Sequence, residues 1–160
     1  MPPKTDTRLQ FVAYHPRYAK DFKDMNEAWI TKFFTMEDAD HRALDNPQSY
    51  IIDTGGDIII GLYEDRVVGV CALIKMKEGP YDFELAKMAV DPSVQGIGLG
   101  YQLGLETIQR ARDLGAKKIF LESNTKLEPA INLYRKLGFQ EIPGMNTPYC
   151  RCNITMDLEV

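Results

Sequence analysis

A chain of 160 residues, 44% hydrophobic and 26% charged, has the composition of one globular domain, residues 1–160, with a buried core and a short tail at 1–6. Its 19 basic and 23 acidic residues give a formal charge of −4, and Lys and Arg do not cluster beyond Lys117-Lys118, which argues against nucleic acid as a partner. No apolar run approaches the about 18 residues of a membrane helix, the first residues lack a signal-peptide core, and Cys71, Cys150 and Cys152 are too few for a disulfide framework, so a cytoplasmic protein without a membrane partner is expected.

The elements follow in chain order. Arg8 to Tyr14 fits a first strand, and Pro16 ends it and suits a first helical turn. From Tyr18 to Phe34, Phe22, Met25, Ala28, Trp29, Ile30 and Phe33 recur at helical spacing. A short second helix from Met36 to about Leu44 stops before Pro47. This aromatic region reads either as core, with Met25, Trp29, Phe33 and Phe34 packed inside, or as a lid over an acceptor site. Asp57 to Tyr63, the turn Glu64-Asp65, and Arg66 to Met76 form a hairpin. After the turn at Gly79-Pro80, Asp82 to Val90 is the fourth strand, broken by Asp91-Pro92.

The loop Ser93 to Gly100 leads into a helix with Leu103, Leu105, Ile108 and Ala111 on its apolar side and Gly115 as its cap. Lys118 to Glu122 is a short buried strand, and Glu128-Pro129 opens a helix that presents Leu133, Tyr134 and Leu137 and ends at Gly138. Phe139 to Ile142 and Tyr149 to Leu158 are the last strands, the latter placing Cys150 and Cys152 on one face. A metal or redox centre would need soft ligands beyond His15 and His41, so no metal is expected. The order is that of a mixed α/β (α+β) domain.

The most informative segment is Gln95-Gly96-Ile97-Gly98-Leu99-Gly100, between a strand and a helix. The first N–H groups of a helix lack intrahelical partners and the helix dipole adds positive charge there. Glycines let the backbone close on an anion, so amides alone could hold a pyrophosphate. A P-loop would need Gly-Lys-Ser/Thr, where Gly100 is followed by Tyr101-Gln102. A dinucleotide fingerprint would need a small residue at Tyr101, although Glu122 stands near the place of its ribose-binding acid. A glycine-rich turn without a ligand is the remaining reading of this segment alone.

Together with a second motif, the segment resembles the GNAT superfamily of N-acetyltransferases. Gln95, Gly98 and Gly100 match its Gln/Arg-x-x-Gly-x-Gly/Ala motif, and Leu133-Tyr134-Arg135-Lys136-Leu137-Gly138-Phe139 matches its Leu-Tyr-x-x-x-Gly-Phe run. The resemblance covers about residues 57 to 142 and implies a mixed sheet of about six to seven strands, splayed between strands 4 and 5 and flanked by about four helices. It implies acetyl-CoA as co-substrate, held by backbone groups of Met88, Ala89 and Val90 and by the loop Gln95, Gly96, Ile97, Gly98, Leu99 and Gly100. It also implies that Tyr134 points at the thioester sulfur. Many members carry an asparagine where this chain has Leu127, and Asn124 is the nearest substitute in the preceding loop.

Acetyl transfer to a small-molecule or peptide amine needs a base for the ammonium, donors for the oxyanion and a donor for the departing thiolate. Glu84, on the strand lining the splay, resembles the strand carboxylate of members that deprotonate the amine; otherwise it faces solvent or pairs with Lys87. Its neighbours Phe83 and Leu85 suit a raised pKa. Tyr134 is the candidate acid, since a phenol's pKa of about 10 lies near a thiol's of about 8.5. By resemblance, an amide near Ala89 or Val90 holds the oxyanion, Tyr149, Arg151 and Asn153 border the acceptor site, and a homodimer is allowed. The competing readings are a GNAT-like domain that binds coenzyme A or a protein partner without turnover, and a nucleotide-binding regulator using the same loop.

Overall fold

β-branched runs and turn residues divide the chain into strands Leu9–Ala13 (β1), Asp57–Tyr63 (β2), Arg66–Lys75 (β3), Phe83–Val90 (β4), Lys118–Ser123 (β5), Gln140–Ile142 (β6) and Ile154–Glu159 (β7). The helices are Ala19–Phe33 (α1), Asp38–Asp45 (α2), Leu99–Asp113 (α3) and Glu128–Leu137 (α4). This computed structural model describes residues 8–94, 96–143 and 149–160, so the expected tail at 1–6 and Gln95 lie outside the described residues.

The strands form one sheet in the order β1-β2-β3-β4-β5-β7-β6. β1 to β4 pair antiparallel in sequence order. The β2–β3 turn puts Glu64 at φ 50° and Asp65 at φ 65°, the double left-handed turn that matches strand twist in a two-residue hairpin. β5 pairs antiparallel with β7, and β7 with β6. The parallel pairing of β4 with β5 is confined to Phe83 opposite Ile119 and Glu84 opposite Phe120. Past Glu84 the two strands part.

One core lies on each face. Ile59, Cys71, Leu73, Phe83, Leu85 and Leu121 pack with Leu103, Ile108 and Ile131 of α3 and α4. Ile58, Ile60, Val70, Ala72 and Ala89 pack with Phe22, Ile30, Ala43 and Leu44 of α1 and α2. Strands buried on both faces read as continuous apolar runs, which is why β2 and β3 were legible without alternation.

Several expectations need correction. The last strand begins at Ile154, because residues 149–153 form a turn anchored by Asn153 N–H to Ser123 C=O (3.0 Å) and the Asn124 side chain to Arg151 C=O (2.7 Å). Cys150 and Cys152 therefore lie in that turn and not on a strand face. Pro16 opens a separate 3₁₀ turn, Pro16–Tyr18, before α1. A five-residue π turn, Gln48–Ile52, follows α2 and was not foreseen. Leu105 is 44% exposed and lies off the buried side of α3, whereas Gly104 and Thr107 lie on it. Phe33 is 40% exposed, not core.

Candidate active site

The parting of β4 from β5 opens a cleft. Its walls are β4 from Glu84 to Met88, Glu122 and Ser123 at the end of β5 with Asn124 just beyond, α1 and Phe34, Leu127 and Tyr134 beside or in α4, and the turn bearing Tyr149, Arg151 and Cys152. Trp29 and Phe34 line the cleft, so the aromatic N-terminal region serves a site as well as the core, whereas Met25 only flanks the core.

A β-bulge shapes the β4 wall. Val70 faces Ala89 and Ala72 faces Ala86, so Cys71 opposes both Lys87 and Met88. Lys87 takes φ 51°, a left-handed conformation rare for a long side chain and enriched at functional sites. The bulge reverses the alternation, turning Met88 toward the α3/α4 core while Ala89 packs toward α1 and α2. Glu84 shares the α1/α2 face with Ala86, and Glu122, two residues beyond Phe120, faces the same way.

The Glu84 carboxyl is half-buried and its pKa is raised to about 7, first by burial and then by the like charge of Glu122, with Lys87 opposing. Lys87 does not neutralise it, because the Lys87 ammonium donates to Asp40 (2.5 Å) and to the Tyr149 hydroxyl oxygen (2.9 Å). Tyr134 enters the cleft from α4 on the opposite side of the sheet and packs edge-on to Phe139 (6.3 Å between ring centres). Burial, and secondarily Cys71, pushes its phenol well above the ordinary value, so it stays protonated.

Sequence reasoning missed Asp40. This fully buried carboxylate on α2 accepts from Lys87 and from both terminal nitrogens of Arg151 (2.8 and 2.6 Å), and Glu37 binds Arg151 at 2.9 Å. Burial would raise its pKa, but the bonds from Arg151 and Lys87 outweigh it and hold it at about 2. The signal was present: Asp40 sits among Ala39, Ala43 and Leu44 on the apolar stripe of α2, where an acid requires a partner. Asp40→Ala would leave two cations buried together and should cost about 3–5 kcal/mol in denaturant unfolding. The contribution of Asp40 should be complete above its unfolded pKa of 3.8 and be lost as pH falls from there toward about 2.

The other sequence candidates fall as follows. Gly98, at φ 67°, is the N-cap of α3, and Gly96 is at φ 79°. A Cβ built on Gly96 meets nothing within 4 Å, so the space at the loop is open. No side chain caps α3 and no acidic residue stands in its first turn, leaving its leading amides suited to an anion. Gly100 lies within the first turn of α3, where a Cβ would touch Leu133 at 3.4 Å; Leu99 packs inward with Leu9 and Val68, and Ile97 flanks that cluster. Met88, Ala89 and Val90 lie beyond the Glu84–Phe120 pair, so this edge of their backbone is not paired with β5, and Met88 lines the cleft. Asn124 lines the cleft, but its amide donates to Arg151 C=O and its oxygen accepts from Lys126 N–H. Tyr149 and Arg151 line the cleft, whereas Asn153 is exposed outside it, bonded to Thr125.

No group of three metal-ligating side chains occurs among the described residues, and no helix among them is long and apolar enough to cross a membrane.

The model of the Acetyltransferase (GNAT) family matches residues 16–139. The uncharacterized N-acetyltransferase YjgM of Escherichia coli K12 is 38% identical over 81 residues, covering 50% of this chain and 48% of that protein, so the chain spans about half of that relative's length. An acetyltransferase of the GNAT family from Staphylococcus aureus Mu50 superimposes with a TM-score of 0.82 at 19% identity, over 94% of this chain and 98% of that one. The yncA protein of Salmonella typhimurium, determined with its cofactor acetyl-CoA, gives a TM-score of 0.74 at 17% identity, over 96% and 94%. With a family match spanning most of its length and a sheet parted beside a glycine-rich helix start, this chain belongs to the GNAT family of acetyltransferases.

Proposed function

We propose that the protein transfers the acetyl group of acetyl-CoA to a primary amine by direct attack, with Glu84 as base and Tyr134 as hydrogen-bond donor to the leaving sulfur. The carrying observation is that a carboxylate with a pKa raised to about 7 and a protonated phenol converge on one cleft from opposite sides of the sheet. The uncapped start of α3, from Gly96 to Gly100, suits the pyrophosphate, and the open edge of Met88 to Val90 suits the pantetheine arm and an oxyanion donor. Gln95 is assigned to the same cradle by its motif alone. Free cysteines at 71, 150 and 152 are in keeping with a cytoplasmic setting.

Acetyl-CoA supplies the activated thioester. Glu84, near half-ionised at neutral pH, takes a proton from the acceptor ammonium, directly or through a water. The freed nitrogen forms the amide bond as the carbon–sulfur bond breaks, and the second proton that nitrogen loses ends on the departing sulfur, giving the free thiol of coenzyme A. Tyr134 is pushed further above the thiol's pKa of about 8.5, so it assists by hydrogen bonding to sulfur rather than by releasing its proton early. Tyr134→Phe should therefore lower kcat by about 10- to 10³-fold with acetyl-CoA affinity nearly unchanged. An unchanged kcat would make Tyr134 a packing residue. The reading as a whole is tested by thiol release from acetyl-CoA with a panel of primary amines. Cofactor binding without amine-dependent release would establish the non-catalytic alternative.

A further inference from the structure

We propose that the acceptor is a small amino carboxylate, its amine taken by Glu84 and its carboxylate by Lys87 and Arg151. This rests on the acetyl-transfer reading of the same cleft. Glu84 and Glu122 are the acids of the cleft lining, and Lys87 and Arg151 are its bases. The anions that compensate the bases, Asp40 and Glu37, are not in the lining; they hold the two cations from behind. The wall thus presents the positive ends of a buried ion network, beside two carboxylates on the neighbouring strands. A zwitterion offers an ammonium to Glu84 and a carboxylate to the outward N–H groups of that network, whereas a diamine has no acceptor for those donors.

The cations also retain hydrogen-bonding capacity. An ammonium has three N–H donors and a guanidinium five. Lys87 donates to Asp40 and Tyr149, and Arg151 uses both N–H groups of one terminal nitrogen and one of the other on Glu37 and Asp40. Among the described residues, one donor on Lys87 and two on Arg151 therefore remain. The network is rigidly mounted: Lys87 is set by the bulge and is 5% exposed, and Arg151 is stacked at 4.6 Å over the Tyr149 ring and tied through its carbonyl to Asn124. Fixed donors that are already desolvated bind an anion with little reorganisation.

The test is an acceptor panel of matched sets, each an amino acid or dipeptide, its C-terminal amide and the amine lacking the carboxyl group, assayed by acetyl-CoA thiol release. The free carboxylates should show kcat/KM about 10-fold or more above their partners, the scale of one charge-assisted hydrogen bond. Lys87→Met and Arg151→Gln should each bring that ratio toward one, raising KM for the carboxylates more than for the amides measured with the same variant. Amides or decarboxylated amines that serve as well as the carboxylates in the wild-type protein overturn the proposal and leave acetyl transfer intact, whether or not the variants fold. If no amine is turned over, acetyl transfer itself fails. Calorimetry of the same sets on the coenzyme A-loaded protein then decides the anion site, with equal affinities overturning it.

Discussion

Glu84→Gln is expected to lower kcat by about 10²- to 10⁴-fold at pH 7 and to recover in part at high pH, where free amine is abundant. Glutamine keeps the length and hydrogen-bonding shape of the side chain but cannot accept the proton. In the wild-type protein, kcat/KM should fall as pH drops below about 7, where Glu84 becomes protonated. The same substitution should stabilise the fold. Folding moves the carboxyl from 4.5 to about 7, which disfavours its ionised form. The resulting destabilisation is absent below pH 4.5, grows between 4.5 and about 7, and is complete above. At pH 8 it amounts to on the order of 3 kcal/mol at most, or roughly 5 to 10 °C in Tm. A structural glutamate with the same raised pKa would show the stability gain but would leave the pH profile of the rate unchanged.

Gly98→Asp should nearly abolish acetyl-CoA binding while the protein stays folded. Gly98 sits at φ 67°, a conformation that Asp tolerates better than most residues, so the backbone can be kept. The new carboxylate would stand at the N-cap, where the pyrophosphate is assigned. Like charges about 4 Å apart in partly exposed surroundings repel by about 4 kcal/mol per pair, roughly three decades of affinity. Gly98→Asn provides the same shape without the charge and should lose much less. Equal loss in both variants would point to crowding, and unchanged calorimetric affinity in Gly98→Asp would refute the cradle. Gly100→Asp should also abolish binding, although its Cβ would meet Leu133, so the charge effect is cleaner at Gly98.

The strands, the helices and their order along the chain were legible because apolar runs and punctuating residues set them locally, whereas the parting at β4 was implied by the family resemblance alone. Glu64-Asp65, Asp91-Pro92 and Gly138 each mark a real boundary. Glu84 and Tyr134 could be placed on one cleft because a strand position and a motif fixed their elements. What lay hidden depends on pairings between distant segments. The ion network joins Asp40, Lys87 and Arg151, separated in sequence by 47 and 111 residues from Asp40, and no local period records it. The bulge at Lys87 was equally silent, since Leu85-Ala86-Lys87-Met88-Ala89 reads as ordinary alternation until Cys71 is seen to face two residues. The turn at 149–153 reads as strand in the sequence because Tyr149 to Leu158 alternates, and its side-chain anchors on Asn124 and Thr125 come from elsewhere in the chain.

The central claim is most directly tested by following isotopically labelled acetyl from acetyl-CoA in the presence of a mixed panel of primary amines, with products read by mass spectrometry. The account predicts one labelled N-acetyl amine per coenzyme A released, formed by the wild-type protein and strongly reduced in Glu84→Gln at pH 7. Coenzyme A release without a labelled amine, or tight acetyl-CoA binding with no release, would contradict it.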